Sequence, residues 1–157
     1  DESGSLGVVL NRPSPVPVGE VLSDWQDLAA APGVLFHGGP VATDSALAVA
    51  ALAPRQGPED DPVGFRRLFG TTGVVDLDTP TELLDAAVAR VRVFAGYAGW
   101  GDGQLEAEVE EGSWYVVEAE GDDVFGPSPE RLWGVVLRRQ PGELAWVSTR
   151  PTDPTLN

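Results

Sequence analysis

The run Phe94-Ala-Gly-Tyr-Ala-Gly-Trp-Gly-Asp-Gly-Gln-Leu-Glu106 constrains this chain more than any other stretch. It places four glycines beside Tyr97, Trp100, Gln104 and Glu106, where an apolar strand pattern gives way to a more polar one. Glycine admits backbone conformations and close approaches that are closed to other residues. Large aromatics are costly to leave in water unless they are packed or used for binding. The junction is therefore either a tight corner, with Tyr97 and Trp100 packed on neighbouring elements, or a binding site. The corner is the expectation, because glycine-rich bends commonly serve close packing. As a phosphate cradle the run falls short of G-x-G-x-x-G, since Gln104 stands where the third glycine is needed and no lysine follows. Free glycine amides at a helix start would favour an anion, but Glu106 and Glu108 would repel it.

The rest of the chain alternates irregularly between strand and helix patterns. Leu6–Leu10 reads as a short buried strand, ended by Asn11-Arg12-Pro13, and Ser14–Pro17 reads as a loop. Val18, Val21, Leu22, Trp25 and Leu28 follow helical spacing up to Pro32-Gly33. Val34–His37 is a second strand, ended by Gly38-Gly39-Pro40, and Ala46–Leu52 a third. Residues Arg55–Gly64, rich in proline and carboxylates, read as a surface loop. Leu68–Gly73 reads as a turn leading into Val74–Leu77. Thr79-Pro80-Thr81-Glu82 carries a capping box with proline at the first helical position, and predicts a helix with Leu83, Leu84, Ala87, Val88 and Val91 inward. Val91–Tyr97 is the strand that delivers the glycine-rich run. Residues Gln104–Glu111 fit two patterns: Leu105, Ala107 and Val109 alternate as in a strand, while Leu105 and Val109 have helical spacing with Gly112 placed as a C-cap. The helix is the expectation. Trp114–Glu118 reads as a strand, Ser128–Arg139 as a proline-started helix, Leu144–Val147 as a strand and Pro151–Asn157 as an extended tail. Residues 1–157 are read as one domain of class α/β or α+β with a mixed sheet.

Composition excludes more than it selects. The chain carries 25 acidic and 10 basic residues, a net charge of -15, and every basic residue is arginine. Direct binding to nucleic acid or to an anionic membrane is disfavoured; a basic protein partner fits more easily, but plain solubility is the first expectation for the charge. The absence of cysteine excludes disulfides and thiol chemistry, and the absence of lysine excludes Schiff bases. A single histidine, His37, excludes a paired-histidine zinc site. No apolar run is long enough to cross a membrane. A cytoplasmic location with no cofactor and no metal is expected. The chain begins at Asp1 and contains no methionine, which predicts that its natural N-terminus lies upstream.

Several constellations are candidates for chemistry. Asn11-Arg12-Pro13 and Gly38-Gly39-Pro40 both follow strands and would meet at one sheet edge if those strands were parallel neighbours. Arg12 would there bind a carboxylate ligand with its planar fork, or pair with Glu106 to lock the fold. His37 suits a general base oriented by Glu106 or Asp102, but equally a histidine hydrogen-bonded at a strand end. There is no G-x-S-x-G elbow, and no catalytic residue is assigned. The nine carboxylates from Asp102 to Asp123 lack the spacing of a calcium loop and read as a solvated face. Trp25, Trp100, Trp114, Trp133 and Trp146 could line a pocket, but tryptophans at regular element spacing are expected in the core. The candidate binding set is Asn11, Arg12, His37, Gly38, Gly39, Tyr97, Trp100, Gln104 and Glu106.

Taken together, Leu6-Gly-Val-Val-Leu-Asn-Arg-Pro13, Phe36-His-Gly-Gly-Pro-Val41, Phe94–Glu106, Trp114 and the tail Pro151–Asn157 resemble the AlgH/YqgE family of bacterial proteins. The resemblance covers nearly the whole chain, in the family's order, and implies that a family N-terminal strand region is missing here. It implies a compact α/β fold whose bent mixed sheet forms a partial barrel flanked by helices. It supplies no catalytic residues and no cofactor. One branch of that family is linked to transcriptional control of alginate production without a clear DNA-binding motif. The implied function is a non-enzymatic regulatory or protein-binding domain. The alternative is a small-ligand-binding protein or weak hydrolase with a site near Arg12, His37, Trp100 and Glu106.

Overall fold

A computed structural model describes residues 3–55 and 60–147. In chain order these form β1 (Ser5–Gly7), β2 (Pro13–Pro17), α1 (Val18–Val21), β3 (Val34–His37), β4 (Val41–Leu52), β5 (Phe65–Phe69), β6 (Thr72–Val75), β7 (Val88–Trp100), α2 (Gln104–Glu110), α3 (Gly121–Phe125), α4 (Leu132–Arg138) and α5 (Glu143–Val147). Short 3-10 turns occupy Ser23–Leu28, Thr81–Leu83 and Pro129–Arg131. The seven strands make one sheet in the order β2-β3-β7-β4-β6-β5, with β1 also paired to β7. β3 and β7 run parallel, while the other paired strands are antiparallel, so the sheet is mixed. It is open, with β2 at one end of the order and β5 at the other. The class is α+β. No helix of the described residues is long and apolar enough to cross a membrane.

In the second half of β4 and the centre of β7 both faces are covered. Successive strand residues point to opposite faces, and β4 accordingly splits between two cores. Ala48, Ala50 and Leu52 join Val18, Trp25, Leu84, Val91 and Val93, under α1 and the 3-10 turn that follows it. Val49 and Ala51 join Phe36, Phe94, Val124 and Phe125, under α3. Phe36 and Phe94 meet edge to face at 5.9 Å and are fully buried. Burial of each such side chain contributes about 1.5–3 kcal/mol.

Several elements differ from the sequence reading, each for a physical reason. Pro13–Pro17 is a strand rather than a loop. Its prolines are tolerated because β2 is an edge strand, where missing N–H donors face no second neighbour. The helix begun at Val18 breaks at Leu22 and continues as a 3-10 turn. Phe65–Phe69, part of which was read as a turn, is the opposite edge strand, and Arg66 and Arg67 give it the charge that discourages edge pairing. The capping box at Thr79–Glu82 yields a single 3-10 turn with no side-chain cap, because Val88 is already committed to pairing with Leu52. Trp114–Glu118 has no strand partner and no regular structure, and Glu143–Val147 is helical. Four residues of the expected loop, 56–59, and the tail Pro151–Asn157 lie outside the described residues.

Candidate functional site

The glycine-rich run meets Gly38-Gly39-Pro40 at a backbone crossing. β3 lies on one side of β7 and β4 on the other, and these three residues are the entire link between them. The link passes directly over β7. A Cβ on Gly39 would lie 2.2 Å from the carbonyl carbon of Tyr97, and one on Gly38 would lie 2.3 Å from the Gly96 oxygen. Gly96 itself sits at φ +76°, and its Cβ would come within 2.5 Å of the Gly39 oxygen. Any side chain would prise the two backbones apart, so glycine here is a requirement of topology. Hydrogen bonds from Gly38 N–H to the Ala95 carbonyl, Val9 N–H to the Gly38 carbonyl and His37 N–H to the Arg12 carbonyl stitch the surrounding strands together.

Beyond the crossing, the run ends in a side-chain cluster centred on Glu108. One carboxylate oxygen of Glu108 accepts the indole N–H groups of Trp114 (2.8 Å) and Trp100 (3.2 Å), and the other accepts from the Gln104 amide at 3.1 Å. These donors, Trp114 foremost, hold the Glu108 carboxyl below the usual carboxylate range against the opposing effect of burial. Trp100 and Trp114 stack edge to face at 5.9 Å. Gln104 also accepts the Gly101 N–H at 3.0 Å, so that glycine amide is filled from within the chain.

Trp114 forms one wall of a groove of about 330 Å³, lined further by Leu10, Asn11, Tyr115, Trp133 and Val136. Trp114, Tyr115 and Trp133 remain 49%, 62% and 39% exposed, which is unusual for three large aromatics around one depression. The opposite wall, α4, is anchored through α3. Arg139 at the end of α4 donates to both carboxylate oxygens of Asp123 at 2.6 and 2.7 Å, and this pairing holds Asp123 below its ordinary range. α3 is clamped to the sheet by Arg92, only 2% exposed. Its guanidinium donates to the carbonyls of Val124, Gly126 and Ala31 and lies 4.4 Å over the Phe36 ring. Burial, with the neighbouring charge of Arg90, lowers the Arg92 pKa to about 10, which leaves it a cation at neutral pH. A second depression, of about 580 Å³, lies among Leu6, Leu47, Arg66, Leu68, Val74 and Asp76, away from the residues singled out in the sequence.

A model of the AlgH-like family matches residues 1–145. The chain belongs to the AlgH-like family. It is 62% identical over 157 residues to a UPF0301 protein of Streptomyces coelicolor and 51% identical over 166 residues to one of Thermobifida fusca; it spans 81% of each relative. Its fold superposes on the crystal structure of protein DIP2367 from Corynebacterium diphtheriae with a TM-score of 0.88 at 36% identity, covering 96% of this chain and 78% of that one. It is also similar to the solution structure of AlgH from Pseudomonas aeruginosa, with a TM-score of 0.64 at 25% identity over 98% of this chain and 81% of that one.

In this AlgH-like chain the sequence-selected residues fall into two groups. Arg12, His37, Gly38, Gly39 and Tyr97 surround the backbone crossing. Trp100 and Gln104 belong to the Glu108 cluster, and Asn11 lines the groove beside it. Arg12 and Glu106 are both exposed and form no ion pair with each other. His37 is exposed, and among the described residues no carboxylate is hydrogen-bonded to its ring. The candidate set omitted Glu108, which entered the sequence reading as a charge that repels an anion, and also Tyr115 and Val136. Sequence reasoning also assigned Trp114 and Trp133 to the core, whereas they line an open groove. The signal for Glu108 was its spacing of four from Gln104, which puts both on one face of α2.

Proposed function

We propose that this AlgH-like chain is a non-enzymatic regulatory domain of the bacterial cytoplasm that works by binding another protein through the groove between Trp114 and Trp133. The observation that carries this reading is the exposure of Trp114, Tyr115 and Trp133 around one depression whose walls are held by hydrogen bonds and an ion pair. Tryptophan and tyrosine dominate binding energy at protein interfaces. A pre-formed groove also limits the ordering cost of association. The net charge of -15 supports a role through protein contacts rather than through direct contact with DNA, including in any transcriptional setting. Capture of bound proteins on the immobilised chain tests the reading: the wild type retains partners that Trp133→Ser and Tyr115→Ser both release, with unchanged unfolding midpoints. Retention of every partner by both variants would remove the groove from the account.

A small-molecule reading has one observation in its favour, the groove's volume of about 330 Å³, which falls within the range of ligand pockets. It places a ligand beside Asn11, Trp114 and Trp133 rather than around Arg12, His37 and Glu106. A thermal-shift screen of metabolites checks it, with a ligand raising the midpoint of the wild type and not of Trp133→Ser.

A further inference from the structure

We infer that the segment received by this groove is proline-rich and takes the extended polyproline II conformation, its rings packed between Trp114 and Trp133 and its carbonyls turned to donors of the lining. The inference rests on the protein-binding reading of the groove and specifies the partner's chemistry.

The lining selects among the ways a surface can receive a peptide. None of the residues that line the depression is charged. A charged group seated there would lose its water without gaining a partner, so the seated part of the occupant is uncharged. The lining also lacks the arginines that read phosphorylated or acidic motifs. No residue of a strand lines it either: Leu10 and Asn11 lie between β1 and β2, Ser113–Val117 has no regular structure, and Leu132–Leu137 belongs to α4. Addition of a strand to a sheet edge is therefore closed at this site. What remains is an apolar helix or a polyproline II segment, and the hydrogen-bonding groups of the lining decide between them. Trp114 gives its indole N–H to Glu108, so it offers the occupant ring surface alone. Among the described residues, the indole N–H of Trp133, the half-buried side-chain amide of Asn11 and the Tyr115 hydroxyl make no hydrogen bond. An occupant that covers these donors has to supply acceptors in place of water. A helix uses its carbonyls internally and brings an apolar face with none to spare. A polyproline II segment makes no internal hydrogen bonds, so its carbonyls are free, and proline carries no N–H that would itself need a partner. Its fixed φ also lowers the ordering cost of seating it between aromatic walls. The α4 wall of seven residues is about 10 Å long, the span of about three polyproline II residues.

The test uses three blocked synthetic peptides of equal length: decaproline, a glycine-serine peptide without proline, and an uncharged helical peptide of alanine, leucine and glutamine. Titration calorimetry follows each against the full chain and against Trp133→Ser, Trp133→Phe and Asn11→Ala at matched unfolding midpoints. Decaproline is expected to bind the wild type at least about tenfold more tightly than either other peptide, and to change less than about twofold between about 50 and about 300 mM salt. Trp133→Ser is expected to abolish that binding. Trp133→Phe, which keeps a ring but removes the indole N–H, and Asn11→Ala should each weaken it about three- to tenfold. Equal or tighter binding of either other peptide, lost in Trp133→Ser, would overturn the polyproline inference and leave the protein-binding groove intact. Decaproline binding unaffected by Trp133→Ser would place its site elsewhere and so overturn the inference. Binding of none of the peptides, with wild-type capture of partners still lost in Trp133→Ser, would overturn the polyproline inference alone.

Discussion

The backbone crossing at Gly38, Gly39 and Gly96 and the groove at Trp114 and Trp133 lie at opposite limits of what a sequence displays. The crossing is spelled out in glycines and is chemically quiet: two main chains touch, with no room for a side chain. The groove is built from a segment without regular structure and one face of a seven-residue helix, yet it gathers three exposed aromatics, Trp114, Tyr115 and Trp133. The difference teaches that a conspicuous motif can mark a demand of topology. The binding surface is then found where apolar side chains stay in water although the elements that carry them are firmly anchored.

Substitutions can break this comparison, beginning with the largest effect. Gly39→Val is expected to cost about 3 kcal/mol or more in denaturant unfolding, because its side chain must displace the Tyr97 backbone. Gly99→Ala, in the same run but with nothing closer than 3.7 Å to the added carbon, should change stability by less than about 0.5 kcal/mol. Equal costs for the two would dissolve the crossing as the reason for the glycines. Asp123→Ala removes both hydrogen bonds to Arg139 and should cost about 2 kcal/mol by the same measurement. It should also weaken binding at the groove by loosening α4, a coupling that Gly99→Ala should lack.

A smaller effect sharpens the link between the two regions. Glu108 joins Trp100 at the end of the run to Trp114 in the groove, and its folded pKa lies below the unfolded value. Its stabilisation is therefore fully present above the ordinary carboxylate range and is lost as pH falls through the depressed folded value. Tryptophan fluorescence is expected to show an acid step below the ordinary glutamate range, and Glu108→Gln should erase that step. Persistence of the step in the variant would assign it to another group. The stability effect of Trp133→Ser is also small, within about 1 kcal/mol, because the side chain is already partly in water.

Much of the fold was legible where local pattern and tertiary context agree. Val34–His37 and the apolar centre of β7 follow directly from periodicity, while at Gln104–Glu110 periodicity fits two patterns and Gly112, placed as a C-cap, favours the helix that forms. β4 was legible only from Ala46 onward, since its polar start at Val41–Ser45 carries no apolar alternation and is held by pairing with β7 at Tyr97. β2 was hidden by its prolines and β5 by its arginines, the same features that suit strands to sheet edges. Thr79–Glu82 had every local sign of a helix, but the strand that follows leaves it room for one turn. At the candidate site, Trp100 and Gln104 were found through the glycine-rich run, and Asn11 through the Asn11-Arg12-Pro13 loop. Trp114 and Trp133 were misplaced because a tryptophan lining a groove and one in a core look alike in sequence. Only the accessible surface separates Trp133 from Trp25, which is 4% exposed.

The central claim, that binding resides at the groove and not at the glycine-rich run, is tested most directly by partner capture on wild type, Gly99→Ala and Trp133→Ser at matched unfolding midpoints. The account predicts that Gly99→Ala retains the wild-type partners and Trp133→Ser loses them. Loss in Gly99→Ala with retention in Trp133→Ser would contradict it.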